Sequence, residues 1–368
     1  MRVIEITGEP LQHGGQEQFL TNLFENMDFE GFRIDVLTPY TSENGTFEAL
    51  VRSKGGDVFA LNQPFEPGKS RRKLLKPITR FLREGKYDAV HVHSGSVSVL
   101  AYVSLAARRA GISKVIVHSH STGYPSLKHR VIRFLFGFML TRNATDFLAC
   151  SRAAGEVKFP RRVVQERLVV IRNGISIGDF ACSQAGREAG REKLAIPQDA
   201  LVLGHIGRFS REKNHRFLID LFQEVHRLMP RSLLLLVGDG ELFDNVRQQA
   251  EDLGLSAFIR FTGSVDRTAE YYQVMDIFLM PSLYEGLSYV TLEAQAAGIP
   301  CLISPGIPEE AVVAENVRRI SLEDLQGWIK GIREMAGMPP TDNGEMLRKA
   351  GYDVRETARH IREIYLRE

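Results

Sequence analysis

Two glutamates eight residues apart, Glu285 and Glu293, carry the most specific chemical signal in the chain. They lie in EGLSYVTLEAQAAGIP (285–300), which follows an apolar run ending at Pro281–Ser282. A helix is expected to open near Tyr289 and to stop at Gly298–Ile299–Pro300. A loop carboxylate at a helix start can accept sugar hydroxyls while the free N–H groups of the first turn face a phosphate. Gly286, Leu287 and Ser288 form that start. A carboxylate inside the helix can accept two vicinal hydroxyls, the pair a ribose presents. Two glutamates at this spacing are by themselves more often surface residues, and the strand–loop–helix setting is what lifts the pair above that reading.

A second cluster is GRFSREKNH (207–215), directly after the apolar run LVLGHIGR. Arg208 closes the strand, and Lys213 follows five residues later where a helix begins. Two cations placed so suit a diphosphate, which gains charge as a glycosidic bond to it breaks. In GEPLQHGGQEQF (8–19), Gly14 and Gly15 let the backbone come close to a ligand at a helix N-terminus. The loop lacks GxGxxG, so the dinucleotide fingerprint is absent. VIVHSHSTG (115–123) carries His118 and His120 in alternation, and DAVHVHSG (88–95) places His93 at a strand end. Residues two apart on a strand share a face, and a histidine there can bond a sugar hydroxyl. The alternation leaves both His118 and His120 open; His120, deeper in the loop, is favoured. A metal site from His91, His93, His118 and His120 is conceivable, but no carboxylate or cysteine completes it in sequence, so no metal is expected.

These residues need elements to position them. Strands are expected at 3–7, 32–39, 57–61, 88–93, 115–120, 146–151 and 168–173, with helices between them, as at 17–27 and 97–110. The alternation of apolar strands and helices signals a parallel sheet covered on both faces. It pauses over 176–198, rich in Gly and polar residues, which reads as a linker. It restarts with strands at 201–208, 232–240, 259–264, 277–282 and 299–304 and helices at 214–229 and 241–253. The expected organisation is therefore an α/β chain of two doubly wound domains, 1–175 and 199–351. YDVRETARHIREIYLRE (352–368) adds an amphipathic terminal helix.

With these motifs in place, the chain resembles the retaining GT-B glycosyltransferases of family 4, the glycogen-synthase-like and exopolysaccharide type. In them a Glu, seven residues and a second Glu mark the donor site. The resemblance implies two Rossmann-like domains facing a cleft, with the last helix (352–368) crossing back to the first domain. It implies that Glu285 contacts the donor sugar, Glu293 the nucleotide ribose, and Arg208 and Lys213 the diphosphate. It places Gly14 and Gly15 near the donor phosphate, and Gly263 and Val265 of FTGSV (261–265) near the base. It gives a functional histidine at the end of the 115–120 strand. The donor it implies is a uridine-diphosphate sugar, transferred with retention to a glycan or lipid-linked acceptor in exopolysaccharide or capsule synthesis. Asp-x-Asp, the metal-holding motif of the other common glycosyltransferase fold, does not occur; no cofactor and no metal requirement are expected. Residues 305–350 follow no pattern that would choose the donor.

Composition narrows the classes. A formal net charge of +2 makes nucleic acid an unexpected partner. Cys150, Cys182 and Cys301 form neither a disulfide framework nor a zinc pattern, which fits a reducing cytoplasm. The basic stretch 69–86 holds eight Lys and Arg against one Glu and suits docking at the inner face of an anionic membrane. The segment 128–142, with Phe134, Phe136 and Phe138, has apolar residues almost all round and reads as a buried helix. Two rivals share the same motifs: a nucleotide-sugar 2-epimerase, which needs no acceptor, and a non-catalytic sugar-nucleotide-binding scaffold.

Overall fold

The computed structural model describes every residue except 13, 67, 68, 121–126, 266 and 368, and every described side chain except those of 127–131. The chain divides into two compact units, Met1–Gly174 with Val354–Glu368, and Ile175–Asp353.

The first unit is a seven-stranded parallel sheet. Its strands are β1 (Arg2–Thr7), β2 (Arg33–Thr38), β3 (Val58–Ala60), β4 (Ala89–Ser94), β5 (Lys114–Ser119), β6 (Asp146–Ala149) and β7 (Leu168–Val170). Seven helices alternate with them: α1 (Gly15–Asn26), α2 (Gly45–Ser53), α3 (Leu75–Gly85), α4 (Val97–Arg109), α5 (Leu127–Asn143), α6 (Arg152–Lys158) and α7 (Arg161–Glu166). The strand order β3-β2-β1-β4-β5-β6-β7 reverses direction between β1 and β4. One face of the sheet is apolar: Val90, Val92, Val115 and Val117 join the core that Leu100, Val103 and Ala107 of α4 cover. The alternate residues, on the opposite face, include Glu5, His91, His93 and His118, all buried.

The second unit begins with α8 (Gln184–Lys193) and carries the six-stranded parallel sheet β8 (Leu201–Ile206), β9 (Ser232–Val237), β10 (Ile259–Phe261), β11 (Ile277–Met280), β12 (Cys301–Ile303) and β13 (Val317–Arg319). Its other helices are α9 (His215–Leu228), α10 (Phe243–Asp252), α11 (Ala269–Val274), α12 (Tyr289–Ala296), α13 (Leu325–Met335) and α14 (Gly344–Lys349). The order β10-β9-β8-β11-β12-β13 turns between β8 and β11. The final helix α15 (Val354–Leu366) belongs to the first unit, where it packs on α1.

Two expectations need correction. Residues 176–198 are not a free linker: α8 packs on α11 within the second unit. Glycine, read as a loop signal, permits that packing, because a Cβ on Gly190 would stand 2.6 Å from Val274 Cγ1. Arg191 of α8 is fully buried and donates to the carbonyls of Gln198 and Ala200 at 2.8 and 3.0 Å and to Asp276 Oδ2 at 2.9 Å. The second correction concerns α5, which is not a buried helix: Phe134, Leu135 and Phe138 are 83%, 65% and 73% exposed, while Leu140 is buried. Its side chains 128–131 lie outside the described residues. Residues 305–350, to which no element was assigned from sequence, hold β13, α13 and α14. VRR is a short, half-exposed edge strand with too little alternation to read.

Candidate active site

In doubly wound sheets, ligands bind beyond the carboxyl ends of the strands where the strand order reverses. In the second unit that point lies between β8 and β11, and the two loops leaving it carry Lys213 and Glu285. A short 3-10 turn (Arg211–Lys213) ends at Asn214, whose left-handed backbone (φ +56) turns the chain into α9. The Lys213 side chain runs close to Gly207, where a Cβ would stand 3.4 Å from Lys213 Cδ. Lys213 Nζ then reaches Glu285 Oε1 at 2.7 Å, and Ser282 Oγ donates to the same oxygen at 2.8 Å. Both charged side chains are largely shielded, 16% and 12% exposed. Backbone ties hold the loops together: Leu283 N–H donates to Glu212 O at 2.8 Å, and Asn214 Nδ2 to Pro281 O at 3.3 Å.

Gly286, Leu287 and Ser288 lead from Glu285 into α12, whose N-cap Ser288 makes no side-chain capping bond to the helix. The first-turn N–H groups of α12 are thus not taken by its cap. Glu293, two turns further, is buried, and its Oε2 accepts from Tyr272 Oη at 2.9 Å and Thr268 Oγ1 at 3.2 Å. Burial raises its carboxyl to about 7, against the lowering effect of those two bonds.

Other expected residues fall elsewhere. Arg208 is 66% exposed and pairs with Glu241, 3.3 Å away, not with the Lys213–Glu285 pair. Gly263 adopts φ +71, and its carbonyl already accepts from Gly238 N–H at 2.9 Å. The Gly263 backbone is engaged in an antiparallel bridge with Gly238, which leaves the backbone of half-buried Val265 as the candidate for a base edge. Gly238 was not singled out in sequence. At φ +132, a Cβ on it would stand 2.1 Å from Gly207 O, so the β9–α10 loop closes on the Arg208 loop only because the residue is glycine.

The first unit has its own reversal point, between β1 and β4. Here the loop after β1 carries Gly14, the extended N-cap of α1, and Gly15, the helix's first residue. The Glu17 side chain folds back, so that a Cβ on Gly14 would meet its Oε2 at 2.8 Å. Burial pushes the Glu17 carboxyl up to about 7. Glu17, three residues after the N-cap Gly14, was also missed; a helix-start glutamate at that spacing is a signal that could have found it.

Parallel pairing then gathers the histidines. Glu5 is the register partner of His91, and His93 that of both Thr7 and His118. His93 Nε2 lies 2.6 Å from Glu5 Oε2, and His93 Nδ1 lies 2.8 Å from His120 Nε2. His91 Nδ1 lies 2.8 Å from Tyr365 Oη of α15, which also donates to Glu5 Oε1. His118 stacks parallel to His91, with ring centroids 5.4 Å apart, and its two ring nitrogens have no hydrogen-bond partner among the described residues. Phe19 of α1 sets its ring against His93, His118 and His120. Burial would raise the Glu5 carboxyl, but His91 and His93 reverse this and hold it below the ordinary carboxylate range. Burial also drives His93 down to about 4.

The expectation that no carboxylate accompanies these histidines is therefore corrected, because Glu5 arrives from a strand 86 positions before His91. His91, His93 and His118 bring ring nitrogens within 4.8 Å of one another. Nothing in MRVIEITGEP distinguishes Glu5 from an ordinary strand residue.

Two parallel sheets, each with loops converging at its reversal point, define a chain of two Rossmann-like domains. Residues 13–178 match Glycosyltransferase Family 4, and residues 186–351 match Glycosyl transferases group 1. A putative glycosyltransferase of Bacillus subtilis, EpsF, is 32% identical over 367 residues, covering 96% of this chain and 94% of that protein. An Escherichia coli UDP-Gal:alpha-D-GlcNAc-diphosphoundecaprenol alpha-1,3-galactosyltransferase is 26% identical over 269 residues, 71% of this chain and 69% of its own length. Among solved structures, Anabaena HepE in complex with UDP aligns over 99% of both chains with TM-score 0.78 at 21% identity, which shows the shared fold. The chain belongs to the GT-B glycosyltransferases of the group 1, family 4 type.

Proposed function

We propose that this glycosyltransferase moves a sugar from a uridine-diphosphate donor to a glycan or lipid-linked acceptor, with retention and without a metal, in exopolysaccharide or capsule assembly. The observation that carries the reading is the shielded Lys213–Glu285 pair at the reversal point, beside the start of α12. A lysine held there by a carboxylate is ready to turn to a diphosphate oxygen as negative charge gathers on the leaving group. The α12 N–H groups add to that stabilisation. Glu285 then meets the sugar hydroxyls, and Glu293 the ribose through Oε1, which neither Tyr272 nor Thr268 engages. In the retaining step the departing diphosphate takes the acceptor proton, so no protein base is assigned. HepE in complex with UDP and with UDP-glucose, and the E. coli relative named for a UDP-Gal donor and a diphosphoundecaprenol acceptor, support the choice of donor and acceptor class.

A membrane-facing role of the first unit is part of this proposal. No described helix is long and apolar enough to cross a membrane. However, α4 packs against both α3, the carrier of Lys76, Arg80 and Arg83, and α5, with exposed Phe134, Leu135 and Phe138. Cations beside exposed aromatic and aliphatic side chains suit an anionic bilayer surface.

The test is a turnover panel of nucleotide sugars with EDTA present, scored by acceptor-dependent release of nucleoside diphosphate. Release from one UDP-sugar that needs an acceptor, with product of retained configuration by proton NMR, is the expected result. Turnover of the sugar nucleotide without any acceptor, or only with a divalent metal, would overturn it.

A further inference from the structure

The buried face of β1, β4 and β5 carries a chain of hydrogen bonds that has a direction. An ionised carboxylate only accepts, so His93 Nε2, 2.6 Å from Glu5 Oε2, holds a proton and donates it. In a neutral imidazole the other nitrogen is then a lone pair, and burial keeps His93 neutral. Two lone pairs cannot face each other at 2.8 Å, so the proton between His93 Nδ1 and His120 Nε2 belongs to His120. His120 Nδ1 is left as a lone pair, buried and without a partner among the described residues. Phe19 packs on both rings and restricts their rotation. Tyr365, near the end of the chain, anchors the far end by donating to Glu5 Oε1.

We propose that Glu5 and His93 are positioning residues that fix His120 as a hydrogen-bond acceptor through Nδ1, so that the group it receives is a sugar hydroxyl rather than a phosphate or carboxylate oxygen. The inference rests on reading His120 as a substrate contact. A metal ion is the competing account of this cluster. His93, one of the three residues whose nitrogens converge, already has both nitrogens engaged, which leaves an ion too few ligands.

The experiment combines long-range nitrogen–proton NMR on histidine-labelled full-length protein with kinetics of Glu5→Gln, Tyr365→Phe and His120→Ala. In wild type, His93 and His120 are expected as Nε2–H tautomers and His91 as Nδ1–H. A glutamine at position 5 can donate as well as accept, so Glu5→Gln should let the chain reverse and His120 appear partly as Nδ1–H. Its kcat/KM should fall about tenfold, the worth of one hydrogen bond, with UDP affinity unchanged. A rise in donor KM would assign the hydroxyl to the donor sugar, and a rise in acceptor KM to the acceptor; either supports the proposal. Should Glu5→Gln fail to fold, His93→Gln carries the same test, because its amide can donate to His120 Nε2 as well as accept from it and should let His120 appear partly as Nδ1–H. Tyr365→Phe, which leaves Glu5 an acceptor, should keep the wild-type tautomers of His93 and His120.

Failures separate cleanly. If His120→Ala keeps full turnover, the substrate-contact reading falls and the proposal with it. If His120→Ala loses turnover but Glu5→Gln keeps both tautomer and turnover, the positioning chain alone is wrong. Wild-type His120 as Nδ1–H, or one equivalent of zinc in the purified protein, would also overturn it.

Discussion

The two reversal points share a topology and differ in where they keep their charge. In the second unit the charged groups sit in loops beyond the strand ends, where Lys213 and Glu285 pair with residual solvent access. The sheet below them buries Ser232 at the start of β9 and His205 on β8, whose Nδ1 bonds to the Leu279 carbonyl. In the first unit Glu5, His91, His93 and His118 lie buried in the sheet face, and the bonds run among neighbours: Glu5 to His93 and Tyr365, His93 to the half-buried His120 just beyond β5. The same fold position can therefore carry a shielded ion pair in its loops or a hydrogen-bonded network in its sheet face. The network draws on β1, β4, the residue after β5, and α15, and still leaves both His118 nitrogens and His120 Nδ1 without a partner among the described residues.

The largest effect expected tests whether the second reversal point stands on a scaffold that can be broken apart from it. Asp276, at the opposite end of β11, accepts from Arg191, Arg187 and Val202 N–H. Asp276→Ala strands the buried Arg191 and should cost the second unit roughly 3–5 kcal/mol, as breaking buried ion pairs does. Urea unfolding measures it; a loss under 1 kcal/mol would mean α8 is not anchored by this pair.

Next comes the site itself. Lys213→Ala should lower kcat by about 10²–10³, the usual worth of a group aimed at developing charge. A steady-state assay of diphosphate release reads it, and a change confined to KM would move Lys213 from leaving-group stabilisation to simple binding.

A third prediction compares one buried carboxyl in each unit, Glu17 and Glu293, both raised to about 7 from 4.5. The folded state binds the proton more tightly than the unfolded chain, so the stability contributed is complete below pH 4.5 and is lost as pH rises to about 7. The ceiling for each is roughly 3 kcal/mol, 1.36 kcal/mol per unit. Glu293→Gln and Glu17→Gln should each flatten the fall in stability across that window, measured by chemical denaturation at stepped pH. Unaltered slopes would mean these carboxyls ionise as exposed ones do.

The smallest effect is at the surface. Glu241→Ala should change stability by less than about 0.5 kcal/mol, as exposed pairs do, and should leave UDP affinity equal or tighter because it releases Arg208. Weaker UDP binding would show that the Arg208–Glu241 pair orients the cation for the donor.

These contrasts also explain what could be read from sequence. The second site was legible because its residues are local: Glu285, the α12 start and Glu293 lie in one stretch, and Lys213 follows a recognisable strand. The alternation of apolar runs and helices likewise marked every strand from β1 to β12. The network of the first unit was not legible, because Glu5 and Tyr365 stand 360 residues apart and only strand register and the return of α15 join them. Helix α8 was hidden for a different reason. Its glycines serve close packing, while the same residues in sequence signal a loop.

The central claim is that the donor diphosphate is held at the second reversal point by protein cations. Calorimetric titration of UDP in excess EDTA tests it most directly, with wild type, Lys213→Ala and His120→Ala side by side. The account predicts equal affinity for wild type and His120→Ala and at least a tenfold loss, about 1.4 kcal/mol, for Lys213→Ala. UDP binding that survives Lys213→Ala intact, or that appears only when a divalent metal is restored, would contradict it.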